Sequence, residues 1–297
     1  MSYRALFYSK SFLNTSFIFT ILFLNSIYYA RIDKGDDIYM RIGMPTLTEY
    51  PKIHEQIQIC HELGLDLLEL NLNYPYCNLE NNDLDELLAL SQQYDVVFSI
   101  HYDEYANFAS FQAEIREAWI QYFKKTVILA AKIKAIRITI HLFEGVHITL
   151  PHDKIYVNDM YFDQYISLLL ASLKECFEFS QRHGIDLCIE NVAMPNFMVK
   201  TFETLFTNQF HFTYDCGHHY EFEFKALPLY EKHWDLVKHI HLHDVIGTSP
   251  HKALGTGILD VKQILKIAKQ HDIDIIIEVK TLQALKESVT YLKNGAL

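Results

Sequence analysis

The sequence predicts an α/β protein in which residues 40–297 form a single domain, a (β/α)8 barrel of the TIM type. Short apolar runs rich in Ile, Val and Phe alternate with amphipathic stretches of helical period, and eight such units follow one another. No Pro- or Ser-rich linker divides them. The chain has 297 residues, half of them hydrophobic, which suits a barrel of about 250 residues and its surrounding helices.

Eight segments have the composition of buried parallel strands. They are residues 41–45, 65–71, 96–101, 136–141, 186–191, 210–215, 237–243 and 273–279. Eight parallel strands, each followed by a helix, favour a closed barrel over an open doubly wound sheet, which has about five or six. Asp83 and Asp260 have the positions of helix N-caps between these strands. We expect the connections from the strands to the following helices to be short, which would leave little room for a surface that clamps DNA.

Residues 1–39 form a hydrophobic N-terminal extension ahead of the barrel. The segment from Ser11 to Ala30 carries no charged residue and follows Arg4 and Lys10. This pattern is typical of a signal sequence or a membrane anchor.

A third interpretation of the extension is a translation start at Met40, which directly precedes the first predicted strand. The residues before Arg31 also lack a small-x-small cleavage pattern. We expect a cytoplasmic protein, membrane-anchored only if residues 1–39 are translated and retained, with membrane contact limited to residues 11–30.

Composition restricts the class of partner. The formal net charge is -11 and no run of Lys or Arg is present, which disfavours a dedicated nucleic-acid binder. The cysteines form no CxxC pair, so we expect them to be reduced. They are Cys60, Cys77, Cys176, Cys188 and Cys216.

A residue of metal-ligand type ends nearly every predicted strand after the first. In chain order these residues are Glu69, His101, His141, Glu190, Asp215, His241 and Glu278. Any one of them alone would be an ordinary loop residue, but in a barrel all strands end at one mouth, where active sites lie. Burying so many such groups together requires a compensating charge. The mixed set therefore predicts a divalent cation, manganese or zinc, with cobalt, iron or magnesium as alternatives.

The segments at these strand ends resemble those of a known group. They read IHYDEYANFAS, TIHLFEG, CIENV, TYDCGH, HIHLHD and IIIEVK in chain order. In this order they are similar to the xylose isomerase-like barrel superfamily, which includes sugar isomerases and epimerases and the endonuclease IV type of apurinic-site nuclease (AP endonuclease family 2). The resemblance covers residues 40–294, and no single motif is specific to one activity.

The resemblance implies roles for the strand-end residues. Glu190, Asp215, His241 and Glu278 correspond to the four-ligand metal site shared by the epimerases and the nucleases. In the epimerases, Glu190 and Glu278 would also be the catalytic pair that exchanges protons with the two faces of the substrate.

The nuclease branch implies further metal positions. His101 and His141, with Glu190 bridging, would form a second one, and His218 and His251 resemble two ligands of a third.

Two departures put the third position in doubt. The nuclease pattern has an Asp where this chain has Ser249, and a Glu where it has Thr256. His218 and His251 could instead contact substrate. Around the ligands, we expect supporting roles for Glu69 and for His243, which shares a strand face with His241 by its period of two.

Three functions are consistent with this pattern. The first is a metal-dependent isomerase or epimerase of carbohydrate metabolism that acts on a small sugar or sugar phosphate through an enediolate, with Glu190 and Glu278 as proton shuttle. The second is a metal-dependent endonuclease or phosphodiesterase at abasic DNA sites. The third is a barrel that binds sugar or metal without catalysis. The net charge, the short connections and Ser249 favour the first, so we expect a small sugar as partner rather than nucleic acid.

Overall fold

Eight parallel strands form a closed barrel in the structure, a computed structural model that describes residues 40–151, 153–221 and 227–296. The strands are Ile42–Pro45, Leu67–Asn71, Val97–His101, Arg137–His141, Asp186–Glu190, His211–Asp215, Val237–Leu242 and Asp274–Ile277. Each pairs with its neighbours in chain order, and the first pairs with the eighth. The predicted TIM barrel is confirmed. The predictions for residues 1–39 lie outside the described residues.

Helices surround the barrel and connect successive strands. The longer ones are Ile53–Glu62, Leu84–Tyr94, Ala113–Lys132, Phe162–Arg182, Asn196–Thr207, Val261–His271 and Leu282–Tyr291. Shorter helical turns are Pro75–Cys77, Leu79–Asn81, Val157–Met160, Cys216–Glu221, Leu227–Tyr230, Trp234–Leu236 and Leu292–Ala296. Within the described ranges, no helix combines the length and the apolar character needed to cross a membrane.

Both predicted helix caps are present. Asp83 Oδ1 accepts the backbone N–H groups of Asp85 and Glu86, each at 3.1 Å. Asp260 Oδ1 accepts the N–H of Gln263 at 3.0 Å. These bonds satisfy N–H groups that have no partner within the helix, so the helices begin where the sequence indicates.

Alternate residues of each strand face the helices and the barrel axis. On the third strand, Phe98 and Ile100 join the hydrophobic core shared with the helices, whereas Ser99 and His101 are buried and polar. Barrel interiors are usually filled by branched aliphatic side chains. Here, in contrast, buried polar side chains lie on the inner face. The hydrophobic core between the strands and the helices therefore stabilises the fold.

Polar residues continue from the mouth to the opposite end of the barrel. Thr139 Oγ1 lies 2.9 Å from Thr213 Oγ1 and 3.3 Å from His239 Nδ1 in a buried layer. Below it, Arg137 Nη2 lies 2.8 Å from Asp274 Oδ2, and both side chains are buried. This ion pair closes the bottom of the barrel.

The connections after the fourth and seventh strands are longer than the sequence suggested. The first contains the hairpin His147–Thr149 with Lys154–Tyr156, and the second contains Asp244–Ile246 with Ser249–Lys252. The expectation of short loops around the mouth was wrong, because strands this short, with little apolar alternation, give no signal in the sequence.

We predict that Asp274→Ala lowers the free energy of unfolding by about 3 kcal/mol, because it leaves the buried charge of Arg137 without its partner. Urea denaturation followed by tryptophan fluorescence measures the change. The matched control is Asp260→Ala, which removes an exposed helix cap and should cost about 1 kcal/mol. Equal, small losses for both variants would show that the buried pair does not stabilise the barrel.

Candidate metal centre

His241 lies at the centre of the candidate site and is fully buried. Its Nδ1 lies 3.2 Å from Glu190 Oε1 and 3.2 Å from Glu278 Oε2. Its Nε2 lies 3.0 Å from Glu69 Oε1, at ion-pair distance but without hydrogen-bond alignment. The negative charge of Glu69 favours a proton on Nε2, so Nδ1 is the atom directed at the other carboxylates.

Glu69 lies inside the second strand rather than at its end, because that strand continues to Asn71. Its carboxylate is therefore one layer below the mouth, where Ser99 Oγ donates to Oε2 at 3.1 Å. The prediction that Glu69 ends a strand was wrong. Its carboxylate lies beside His241 Nε2, and the supporting role expected for it stays a prediction.

Four of the predicted ligands come together around His241 Nδ1. Glu190, Asp215, His241 and Glu278 each offer one donor atom, all within 4.8 Å of one another, and Asp215 Oδ2 lies 3.9 Å from Nδ1. Metal bonds of about 2.1 Å place neighbouring donors roughly 3.0 to 3.4 Å apart, so this set fits a divalent ion after small adjustments. His241 Nδ1 and Glu278 Oε2 are buried without a hydrogen-bond partner among the described residues, as ligand atoms would be.

Asp215 is held by three neighbours. The side chain of Asn191 forms two hydrogen bonds of 2.9 Å with the backbone of Asp215. Nδ2 donates to the carbonyl oxygen of Asp215, and Oδ1 accepts its N–H. The N–H of His218 donates to Oδ1 at 2.6 Å, and His243 Nε2 lies 3.2 Å from the same oxygen. A Cβ on Gly217 would lie 1.7 Å from the His243 ring, so only glycine allows this contact. His243 therefore lies against the carboxylate of Asp215, and the supporting role expected for it stays a prediction.

A second group of donors converges on the other oxygen of Glu190. His101 Nε2 lies 3.6 Å and His141 Nε2 lies 3.2 Å from Glu190 Oε2. Glu104, in the loop after the third strand, offers a carboxylate oxygen within 4.8 Å of both histidines. Sequence analysis missed Glu104, because an exposed loop glutamate away from a strand end carries no distinguishing pattern.

The third predicted position is built differently from the nuclease pattern. The rings of His218 and His251 lie 5.8 Å apart, but His243 lies 4.1 Å from the His251 ring. His251 donates its backbone N–H to His243 Nδ1 at 2.8 Å, and its own Nδ1 lies 3.0 Å from the carbonyl oxygen of Glu278. The loop after the seventh strand is thus tied to the donors at the mouth.

Burial and charge oppose each other in the central group. Burial favours the neutral carboxyl of Glu190, but the charge of His241 lowers its pKa well below the usual value. Burial likewise opposes ionisation of Glu278, but Lys280 lowers its pKa, with Nζ 2.7 Å from Oε1. Burial lowers the pKa of His241, yet the carboxylates raise it well above its usual value. The carboxylates therefore stay ionised, and a bound cation would replace the proton on Nδ1.

Comparisons with known proteins agree with this architecture. The sequence profile of the xylose isomerase-like TIM barrel family matches residues 57–295. No curated protein sequence shows significant similarity to the chain.

Three solved structures illustrate the similarity of fold. A D-tagatose 3-epimerase-like protein is 20% identical, with a TM-score of 0.71 over 86% of this chain and 96% of that chain. The D-psicose 3-epimerase of Clostridium cellulolyticum H10, solved with D-tagatose, is 14% identical, with a TM-score of 0.69 over 86% and 98%. The IolI protein with a bound zinc atom is 12% identical, with a TM-score of 0.64 over 86% and 96%. At these identities the likeness shows the fold alone.

We predict that Glu69→Gln weakens the binding of divalent cation about 10- to 100-fold, because the charge that favours a proton on His241 Nε2 is lost. Isothermal titration of the full chain with Mn²⁺ measures the affinity. Glu62→Gln, which changes an exposed glutamate on the first helix, is the matched control and should bind as the wild type does. Unchanged affinity in Glu69→Gln would rule out the supporting role.

Proposed function

The chain belongs to the xylose isomerase-like TIM barrel family, and we propose that it is a divalent-metal-dependent isomerase or epimerase of a small sugar or sugar phosphate. The observation that carries this proposal is that Glu190 and Glu278 each place one carboxylate oxygen 3.2 Å from His241 Nδ1. The other oxygen of Glu190 faces His141, and the other oxygen of Glu278 faces Lys280. Two such carboxylates match a reaction that removes a proton from carbon and returns one.

Glu190, Asp215, His241 and Glu278 would hold the cation, with manganese or zinc as the expected ion. When bound, the cation supplies positive charge that orients two adjacent substrate oxygens and stabilises the negative charge that develops as a proton leaves carbon. The zinc atom in the similar IolI structure supports a divalent ion in this fold.

The two glutamates have different surroundings, which suits different roles. Lys280 lies 2.7 Å from Glu278 Oε1 and keeps that carboxylate ionised, so Glu278 would accept the proton from carbon. Glu190 Oε2 faces His101 and His141. Burial lowers the pKa of His101, but Glu190 raises it to about 9, so His101 can supply a proton to Glu190. Glu190 would then deliver a proton to the other face of the substrate.

The mouth also offers groups for substrate hydroxyls. His218 lies in the short helix Cys216–Glu221 after the sixth strand, beside Asp215. His251 lies in the strand Ser249–Lys252 after the seventh strand, beside Glu278. Because Ser249 stands where the nuclease pattern has an aspartate, we assign this pair to substrate contact in preference to a third metal.

A phosphodiesterase acting at abasic DNA sites is the second candidate function. The specific observation in its favour is the convergence of His101 and His141 on Glu190 Oε2, which suits a second metal. The formal net charge of -11 opposes it, because DNA binding depends on attraction to phosphates.

We predict that the Mn²⁺-loaded full chain exchanges a carbon-bound hydrogen of a ketose or ketose phosphate with deuterium from D₂O, detected by NMR across a substrate panel. Glu278→Gln and Glu190→Gln should each reduce the exchange by at least about 10²-fold, because an amide cannot act as a general base or acid. Glu80→Gln, on the surface, is the control. Full exchange by Glu278→Gln would disprove its proton-transfer role.

The same preparation should leave an abasic-site duplex intact, because the site would exchange protons on carbon and would not hydrolyse phosphodiesters. The measurement is strand incision on a denaturing gel, with and without chelator. Incision that the chelator abolishes, together with no deuterium exchange on any sugar, would make the hydrolase the correct function.

A further inference from the structure

We infer that the hairpin after the fourth strand of the barrel forms an interface with a second copy of this chain. In this interface the first strand of the hairpin, His147–Thr149, pairs with the same strand of the other copy, antiparallel across a two-fold axis. The two hairpins then become one four-stranded sheet. The inference is independent of the reaction proposed above, because it involves neither the candidate metal ligands nor the substrate.

The hairpin has one face against the helices around the barrel and one apolar face toward solvent. On the first face, the ring of Tyr156 lies 5.3 Å from the ring of Phe197 in the helix Asn196–Thr207. Side chains alternate along a strand, so the opposite face carries four aliphatic side chains. They are between 37% and 67% exposed, and they are Val146, Ile148, Leu150 and Ile155. A concentration of exposed aliphatic groups is typical of an interaction surface.

The first strand of the hairpin also has an open edge. The N–H of Leu150 donates to the carbonyl oxygen of Asp153 at 2.8 Å, next to the hairpin turn. Bonded residues alternate along an antiparallel pair, so His147 and Thr149 direct their N–H and C=O groups away from the second strand of the hairpin. Within the part of the chain that the structure describes, this sheet has no third strand. The edge can therefore pair with another strand.

A second copy fits this edge in a register centred on Ile148. This register places Ile148 opposite itself, and Val146 opposite Leu150 of the second copy. The outward N–H and C=O groups of His147 then meet those of Thr149 of the second copy and form hydrogen bonds with them. No two charged side chains of like sign are opposed, which would destabilise the pairing. The strand is thus self-complementary, as a two-fold interface requires.

Charge favours a second copy at this face and limits the assembly to two chains. The formal net charge of the chain is -11, so two copies repel each other at most surfaces. Residues 146–150 contain no Asp, Glu, Lys or Arg, so contact there opposes no carboxylates. The strand Lys154–Tyr156 forms the outer edge of the four-stranded sheet, and a lysine on an edge strand disfavours the addition of a further chain.

The exposed apolar area is sufficient for a dimer. Met160 and Tyr161, which follow the hairpin in the chain, are 59% and 54% exposed. Together with the four aliphatic side chains they expose on the order of 600 Å² in each copy, whereas a stable interface buries at least about 1,000 Å² from both copies together. A sheet of four strands is also more stable than the two-stranded hairpin alone.

Sedimentation velocity of the full chain tests the interface. We expect the wild type to form a dimer and Ile148→Lys to weaken dimerisation at least about 100-fold, because two lysines would be opposed at the two-fold axis. The matched control is Ile246→Lys on the other hairpin, where Ile246 is 50% exposed, and this variant should dimerise as the wild type does. A wild type that stays monomeric up to its highest soluble concentration, or a dimer that Ile148→Lys leaves unchanged, would overturn the inference.

Disulfide cross-linking tests the register. Opposed residues of a non-bonded antiparallel pair have Cα atoms about 4.5 Å apart, within the range of a disulfide. Ile148→Cys should therefore give a covalent dimer on a non-reducing gel after mild oxidation, and the five native cysteines are buried and should not compete. Thr149→Cys is the control and should remain uncross-linked, because Thr149 lies opposite His147 of the second copy. Equal cross-linking of both variants, or of neither, would refute this pairing.

Discussion

The burial of three carboxylates around the Nδ1 atom of one histidine is the constraint on which the rest of the site depends. Glu190, Asp215 and Glu278 approach His241 in a space that is almost closed to solvent. Removing such charges from water costs several kcal/mol for each ion unless opposite charge lies close by. In this chain the nearby charge is divided between protonated histidine and Lys280, and a divalent cation would supply it at a single point.

The barrel tolerates this arrangement because its stability comes from elsewhere. Residues such as Phe98 and Ile100 pack outward against the helices, while the inward residues of the same strands carry polar groups. A substitution on the inner face therefore alters the charges at the mouth and leaves the main hydrophobic core intact. The ion pair of Arg137 with Asp274 is the exception, since it lies at the end of the barrel opposite the mouth and we expect it to stabilise the fold.

The barrel and the central donors could be predicted from sequence, because strand periodicity and the residue types at strand ends are both local signals. The alternation of apolar runs gave the eight strands, and the residue types at their ends gave the central donors. What could not be predicted depends on contacts between distant loops. The Glu104 carboxylate is positioned by a hydrogen bond from Asn73, which lies on a different loop. Nothing in the sequence distinguishes Lys280 from the other lysines, although in the fold it pairs with Glu278. The link from His243 to the His251 backbone depends on a hairpin with no sequence signal.

The position of a bound ion relative to His241 decides whether the buried carboxylates form a metal site. Anomalous diffraction at the manganese edge, on crystals of the full chain grown with Mn²⁺, locates that ion. We expect a strong peak about 2.1 to 2.3 Å from His241 Nδ1, with oxygens of Glu190, Asp215 and Glu278 at similar distances. Crystals with ordered side chains at the mouth and no peak beside Nδ1 would show that the carboxylates are balanced without a metal, and the central claim would be wrong.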